Sequence, residues 1–148
     1  VSLGDYVAIH ARHTDLKTDY QNFFHKIKDS IGTKKTLLCT DSYQCQMYAQ
    51  DIFPNIEMSS DIPDSQGCKL HDNSEFTCFE TNVQLLMDLN ILVYAQKMFY
   101  SETERNMLSG FTELALRLRG EKLKDKVRKY IYGDGSFLGK TMPKRRQM

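Results

Sequence analysis

The stretch YVAIHARHTD, residues 6–15, decides how the chain is read. Its first half, Tyr6 to Ile9, is mostly apolar, as parallel strands are when both faces are covered. Its second half gathers His10, Arg12, His13, Thr14 and Asp15. A buried strand that ends in such a cluster delivers it to one edge of a sheet. Open α/β sheets bind ligands at that edge.

Outward from this stretch, the chain alternates apolar runs with amphipathic ones. Residues 6–11 predict a buried strand, followed by a helix with Asp19 as N-cap, Phe23, Phe24, Ile27 and Ile31 on one face, and Gly32 as its stop. TLLCT, residues 36–40, predicts a second strand. A helix follows, with Asp41 or Ser42 at its cap and Pro54 beyond its end. NIEMS, residues 55–59, predicts a third short strand, and residues 60–75 a loop. From about Glu80 to Gln96, Val83, Leu86, Met87, Ile91 and Tyr94 recur at helical spacing. KMFYS, ending at Ser101, predicts a fourth strand. A helix is expected from about Thr103 to Arg119, with Ser101 and Glu104 spaced as a capping box and Gly120 closing it.

Strands separated by helices of ten or more residues imply right-handed crossovers. The expected fold is therefore α/β, a Rossmann-like parallel sheet with helices on both faces. Residues 1–120 form the expected domain, and residues 121–148 a basic C-terminal extension. The extension carries nine Lys/Arg against three acids, a charge of +6, which leaves −5 for the rest.

The bulk composition excludes some classes. A chain of 148 residues is enough for one domain, and 41% hydrophobic with 26% charged residues is ordinary for a globular one. A net charge of +1 does not indicate nucleic-acid binding, and no apolar run is long enough to span a bilayer. Val1 at the start suggests a trimmed chain, so targeting information could have been lost. Cys39, Cys45, Cys68 and Cys78 form no CxxC pair, so no metal site is expected. Cys39 reads as a core residue and the thiols as reduced.

Polar residues follow each strand: His10 to Asp15 after the first, Thr40, Asp41 and Ser42 after the second, Ser101, Glu102 and Thr103 after the last. Arg12 offers a permanently charged fork of donors matched to phosphate oxygens. Helix N-termini expected at Asp41/Ser42 and Ser101/Thr103 add backbone N–H groups to the same crevice. Together these suit a pyrophosphate. An Arg12–Asp15 loop ion pair is the alternative for Arg12. For His10, hydrogen bonding to a base or sugar stands beside a purely structural role. The dinucleotide, P-loop and α/β-hydrolase motifs GxGxxG, GxxxxGK[ST] and GxSxG are absent.

HARHTD resembles the HxRRTD motif of the α1,6-fucosyltransferases and NodZ-like enzymes, and is similar to the HxRRGD form of α1,2-fucosyltransferases. TLLCTDS resembles their strand ending in a TDD-type turn. LHDNSEFTCFETNVQLLMDLNILVYAQKMFYSETE resembles their Leu-His segment, the helix that follows and the strand entering a Ser-rich turn. Order and spacing agree from about residue 6 to 119.

The resemblance implies the donor-binding half of a GT-B glycosyltransferase, which transfers fucose from GDP-fucose to a glycan acceptor with inversion and without metal or cofactor. It places Arg12 on the departing diphosphate and Asp19 near the position of an acidic residue, as the candidate general base that doubles as an N-cap. His10 and Asp88 fall on the guanine and ribose side, Thr40 and Asp41 at the nucleotide-side turn, Ser101 and Thr103 at the phosphate-side turn. His13 and Asp15 complete the substrate-binding motif. The acceptor-binding domain is missing from this chain. A cytoplasmic location is implied if the protein is bacterial, and the Golgi lumen if a lost N-terminus carried an anchor.

The departures define a second reading. His13 stands in place of the second arginine, Ser42 in place of the second acid, and Glu102 and Glu104 occupy the Ser-rich turn. Two carboxylates near a diphosphate would repel it, which fits a catalytically inactive nucleotide-sugar-binding or interaction module. For Asp88 the alternative is an exposed helix acid. A flavodoxin-like or receiver-like signalling domain is weakened by the lack of an acidic cluster at the first strand.

Overall fold

A computed structural model describes residues 5–13, 17–59, 78–103 and 107–120. The expectations that rest on Asp15, Glu104, Cys68, the loop 60–75 and the basic extension lie outside the described residues, as does the Cys78 side chain.

The elements run β1 (Val7–Ala11), α1 (Tyr20–Ile31), β2 (Thr36–Thr40), α2 (Tyr43–Ile52), β3 (Ile56–Met58), α3 (Cys78–Tyr94), β4 (Lys97–Tyr100) and α4 (Gly110–Leu118). The four strands form one sheet in the order β3-β2-β1-β4, every pair parallel. This is a Rossmann-like α/β arrangement. The chain moves from β1 through β2 to β3 in one direction, then crosses back to place β4 on the other side of β1. The strand order therefore reverses between β1 and β4. No helix among the described residues is long and apolar enough to cross a membrane.

Alternation along the strands sends side chains to two separate cores. Val7, Ile9 and Ala11 of β1 and Leu38 of β2 pack with Phe24, Ile27 and Ile31 of α1 and Ala49 of α2. Ala8, Cys39 and Met98 pack on the opposite face with Leu92 of α3 and Ala115 and Leu116 of α4. The right-handed crossovers require this division: the two leftward connections cover one face and the return connection the other.

Local signals explain several boundaries. Asp19 caps α1 by accepting from the Asn22 N–H at 3.1 Å. Gly32, at φ 57°, ends that helix and donates to the Lys28 carbonyl. Of the two expected caps for α2, Ser42 is the one used, its Oγ accepting from the Cys45 N–H at 3.3 Å.

Two expectations are corrected. The last helix begins at Gly110, not near Thr103, and its cap is Ser109. Thr103 instead bridges Thr18 in antiparallel fashion and donates its N–H to the Met107 carbonyl, so its backbone is committed before a helix can start. On α3, Val83, Leu86, Met87 and Tyr94 are exposed, while Leu92 is buried. The helix is apolar on several sides, so spacing could not single out the face that meets the sheet.

Candidate functional site

The first residues past β1 are tied to the end of β2. Thr40 Oγ1 donates to the Ala11 carbonyl at 2.6 Å and accepts the Ser42 N–H at 3.2 Å. The next residue, Asp41, reaches back over the same gap. Its Oδ1 accepts the His13 N–H at 2.8 Å, and its Oδ2 lies 3.7 Å from Arg12 Nε. Among the described residues Arg12 thus has an ion-pair partner in Asp41, across the strand ends; the Arg12–Asp15 loop pair falls on a residue outside the described ones.

The other side of the loop is tied to β4. Thr18 Oγ1 donates to the Arg12 carbonyl at 2.8 Å, and its N–H donates to His13 Nδ1 at 3.2 Å. Thr18 also bridges Thr103. The His13 ring stands edge-on to Tyr20 at 4.7 Å between centroids, which places it against the start of α1. Arg12 and His13 are therefore held at the carboxyl edge of the sheet, at the reversal of strand order where such sheets take ligands.

His10 is buried on the α4 side of the sheet. Its Nδ1 lies 2.6 Å from Thr112 Oγ1, and its ring packs 5.2 Å from that of Phe111. Burial lowers its pKa to about 4, with Asp41 acting to raise it and Arg12 to lower it. The imidazole is neutral at physiological pH.

Ser101 donates its N–H to the His10 carbonyl, while its buried Oγ has no partner among the described residues. Ser101 and Thr103 line a cavity of about 560 Å³ with Asp19, Asn22, Lys26 and Glu102. Asp19, far from Ser101 in sequence, thus shares a cavity with the expected phosphate-side residues. Its carboxylate also serves as the cap of α1.

Asp88 sits apart on α3, beside Cys39 of β2 and Ser59 just past β3. It is not an exposed helix acid. Burial pushes its pKa up to about 6, against the opposing effect of hydrogen bonds from Ser59 and Cys39. Among the described residues its buried Oδ1 has no partner. The main-chain carbonyl of Asp88 accepts a long contact of 3.8 Å from Cys39 Sγ. Leaving a buried carboxylate oxygen unpaired is costly, so the position is poor for stability and apt for receiving hydrogen-bond donors.

Residue types and spacing had not pointed to Ser109, Thr112 or Thr18. Ser109 Oγ accepts the Thr112 N–H at 3.1 Å and so opens α4, whose first turn, the positive end of the helix, meets His10 of β1 through Thr112. A signal was present: Ser109 stands just before Phe111, Ala115 and Leu118, with Glu113 in the first turn. Among the described residues, no cluster of three or more His, Cys, Asp or Glu side chains could hold a metal ion.

Comparison of the chain with family models, curated proteins and solved structures finds no match in any of the three.

Proposed function

We propose that the chain is the donor-binding domain of an inverting glycosyltransferase that takes fucose from GDP-fucose. The observation that carries this reading is Asp88. A carboxylate in a largely dry position with a vacant oxygen suits the paired N–H donors on the edge of guanine. The resemblance of HARHTD, TLLCTDS and the α3–β4 segment to fucosyltransferases points to the same nucleotide.

Arg12 takes the diphosphate in this reading, with the N-terminus of α4 at Ser109 adding backbone donors. The acceptor hydroxyl attacks the anomeric carbon from the face opposite the nucleotide. The bond from that carbon to the β-phosphate oxygen breaks, and its electrons leave with GDP. Negative charge grows on the diphosphate as this happens, and a guanidinium placed there stabilises the transition state more than the ground state. The hydroxyl proton goes to a base, for which Asp19 is the candidate because it lines the cavity beside Ser101 and Thr103. Asp41 holds Arg12 and the His13 backbone rather than the ligand.

The inactive binding module remains the second reading, favoured by one observation: the Asp19 carboxylate is already engaged as a helix cap. Calorimetric titration with GDP-fucose, GDP-mannose, GDP and UDP tests the nucleotide reading. Binding of UDP as tight as GDP would sink it. A turnover assay on a chain that includes an acceptor-binding half separates enzyme from inactive module.

A further inference from the structure

The hydroxyls of Ser109 and Thr112 and the imidazole of His10 form a chain across two elements. Ser109 Oγ accepts the Thr112 N–H at 3.1 Å and donates its own hydrogen to Thr112 Oγ1 at 3.0 Å. Thr112 Oγ1 is in turn 2.6 Å from His10 Nδ1. All three residues are buried. A hydroxyl has one hydrogen to give, and with Ser109 donating to Thr112 that hydrogen is directed at His10.

We propose that Thr112, oriented by Ser109, fixes His10 as the Nε2–H tautomer and so presents a permanent hydrogen-bond donor to an acceptor oxygen of a bound nucleoside diphosphate. This rests on the nucleotide-binding reading above. Nδ1 is spent as the acceptor from Thr112, so the ring proton belongs on Nε2. Among the described residues the buried side-chain nitrogen and oxygen atoms without a partner are Asp88 Oδ1 and Ser101 Oγ. His10 Nε2 is neither of these and makes no hydrogen bond to a described residue, and the residue keeps a small exposed surface of 8%. It does so at the penultimate position of β1, beside the reversal of strand order.

The remaining contacts hold the ring still. Phe111 packs against it with planes 47° apart, and burial keeps it neutral. A neutral histidine with a free Nδ1 would exchange between tautomers and meet a ligand oxygen with a lone pair part of the time. Locking the tautomer removes that cost before the ligand arrives. Thr112 is thus a positioning residue that acts through His10.

Long-range proton–nitrogen correlation spectra of the ¹⁵N-labelled 148-residue chain read the tautomer directly, with no ligand present. The wild type is expected to show His10 as Nε2–H. Thr112→Val, which keeps the shape but removes the hydroxyl, should give a mixture of tautomers, and Thr112→Ser should restore the wild-type pattern. GDP affinity should fall about three- to tenfold in Thr112→Val and recover in Thr112→Ser. An Nδ1–H tautomer in the wild type, or an unchanged tautomer and affinity in a folded Thr112→Val, overturns the proposal. If Thr112→Val fails to fold, the wild-type and Thr112→Ser spectra still decide the tautomer. Failure of the wild type to bind GDP overturns the nucleotide reading and the donor's role, and the spectrum distinguishes that result from a wrong tautomer.

Discussion

Asp41 and Arg12 face each other across the ends of β2 and β1, with Oδ2 of the acid 3.7 Å from Nε of the arginine. The separation is that of an ion pair rather than a tight hydrogen bond. Both side chains keep contact with solvent, Arg12 at 32% and Asp41 at 21% exposed. Such a pair contributes little to stability, so Arg12 can turn its guanidinium to a ligand at small cost.

Arg12→Ala is therefore expected to weaken GDP binding by about ten- to a hundredfold, the worth of one charge-assisted contact of roughly 1.5–3 kcal/mol. Thermal stability should change little. Calorimetry and a melting curve on the same variant check both halves. GDP affinity equal to wild type would remove Arg12 from the site.

Asp88→Asn should move stability and specificity in opposite directions. The side chain keeps its shape and loses a charge that burial disfavours, so the variant should be about 1–2 kcal/mol more stable at pH 7. The full pKa displacement corresponds to about 3 kcal/mol, and partial contact with water reduces it. An amide offers one acceptor where a carboxylate offers two, so the preference for GDP over ADP should narrow. Chemical denaturation and paired GDP and ADP titrations measure the two effects. A constant GDP/ADP ratio would make the buried acid irrelevant to base recognition.

The same substitution carries a pH signature. In the folded chain Asp88 holds its proton up to about pH 6, against an ordinary carboxyl value of 3.8. Between those limits the folded state binds more protons than the unfolded state, so this group's contribution to stability falls as pH rises. His10 works in the other direction. Its folded value of about 4 lies below the ordinary 6.5, so the unfolded chain binds the proton first and stability is lost as pH falls through that window. The two slopes oppose each other between about pH 4 and 6. The stability gain of Asp88→Asn over wild type should be greatest near pH 7 and vanish by about pH 4. A gain that stays constant from pH 7 to 4 would mean that the Asp88 charge is not its source.

Arg119 closes the α3/α4 side of the fold. Its Nη1 lies 2.8, 3.0 and 2.8 Å from the carbonyls of Leu92, Val93 and Ala95, at the end of α3. Those carbonyls are among the ones a helix leaves without internal partners, and a cation there also meets the negative end of the helix dipole. Arg119→Ala should cost about 1–3 kcal/mol in urea unfolding while GDP affinity stays within twofold, roughly the scatter of such measurements. A stability change below about 0.5 kcal/mol would show that water replaces the guanidinium freely.

If, as proposed, an arginine and helix N-termini take the diphosphate, EDTA should leave GDP binding unchanged. Recovery of lost binding by added Mn²⁺ or Mg²⁺ would move the protein to a metal-dependent class.

The strands β1 and β2 were legible as continuous apolar runs because parallel strands covered on both faces need apolar side chains in both directions. The inward face of α1 was equally plain, since Phe24, Ile27 and Ile31 recur at helical spacing between an acidic cap and a glycine stop. Short-range signals of this kind act within a few residues and are carried by the residues themselves. The clustering of Arg12, Asp41 and Ser101 at one edge followed from strand order alone, because parallel strands all end on the same side. The pairing of Asp41 with Arg12, 29 residues away, and of Thr112 with His10, separated by 102, depended on which strands became neighbours. So did the start of α4, since Thr103 is drawn into a bridge with Thr18 that no local propensity announces. The buried side of α3 was decided last, by the crossover that set an apolar helix down with Leu92 against the sheet and Leu86 towards water. Local chemistry determined where elements form, while the packing of distant segments decided which polar groups meet and which, like Asp88 Oδ1 and Ser101 Oγ, are buried without a partner among the described residues.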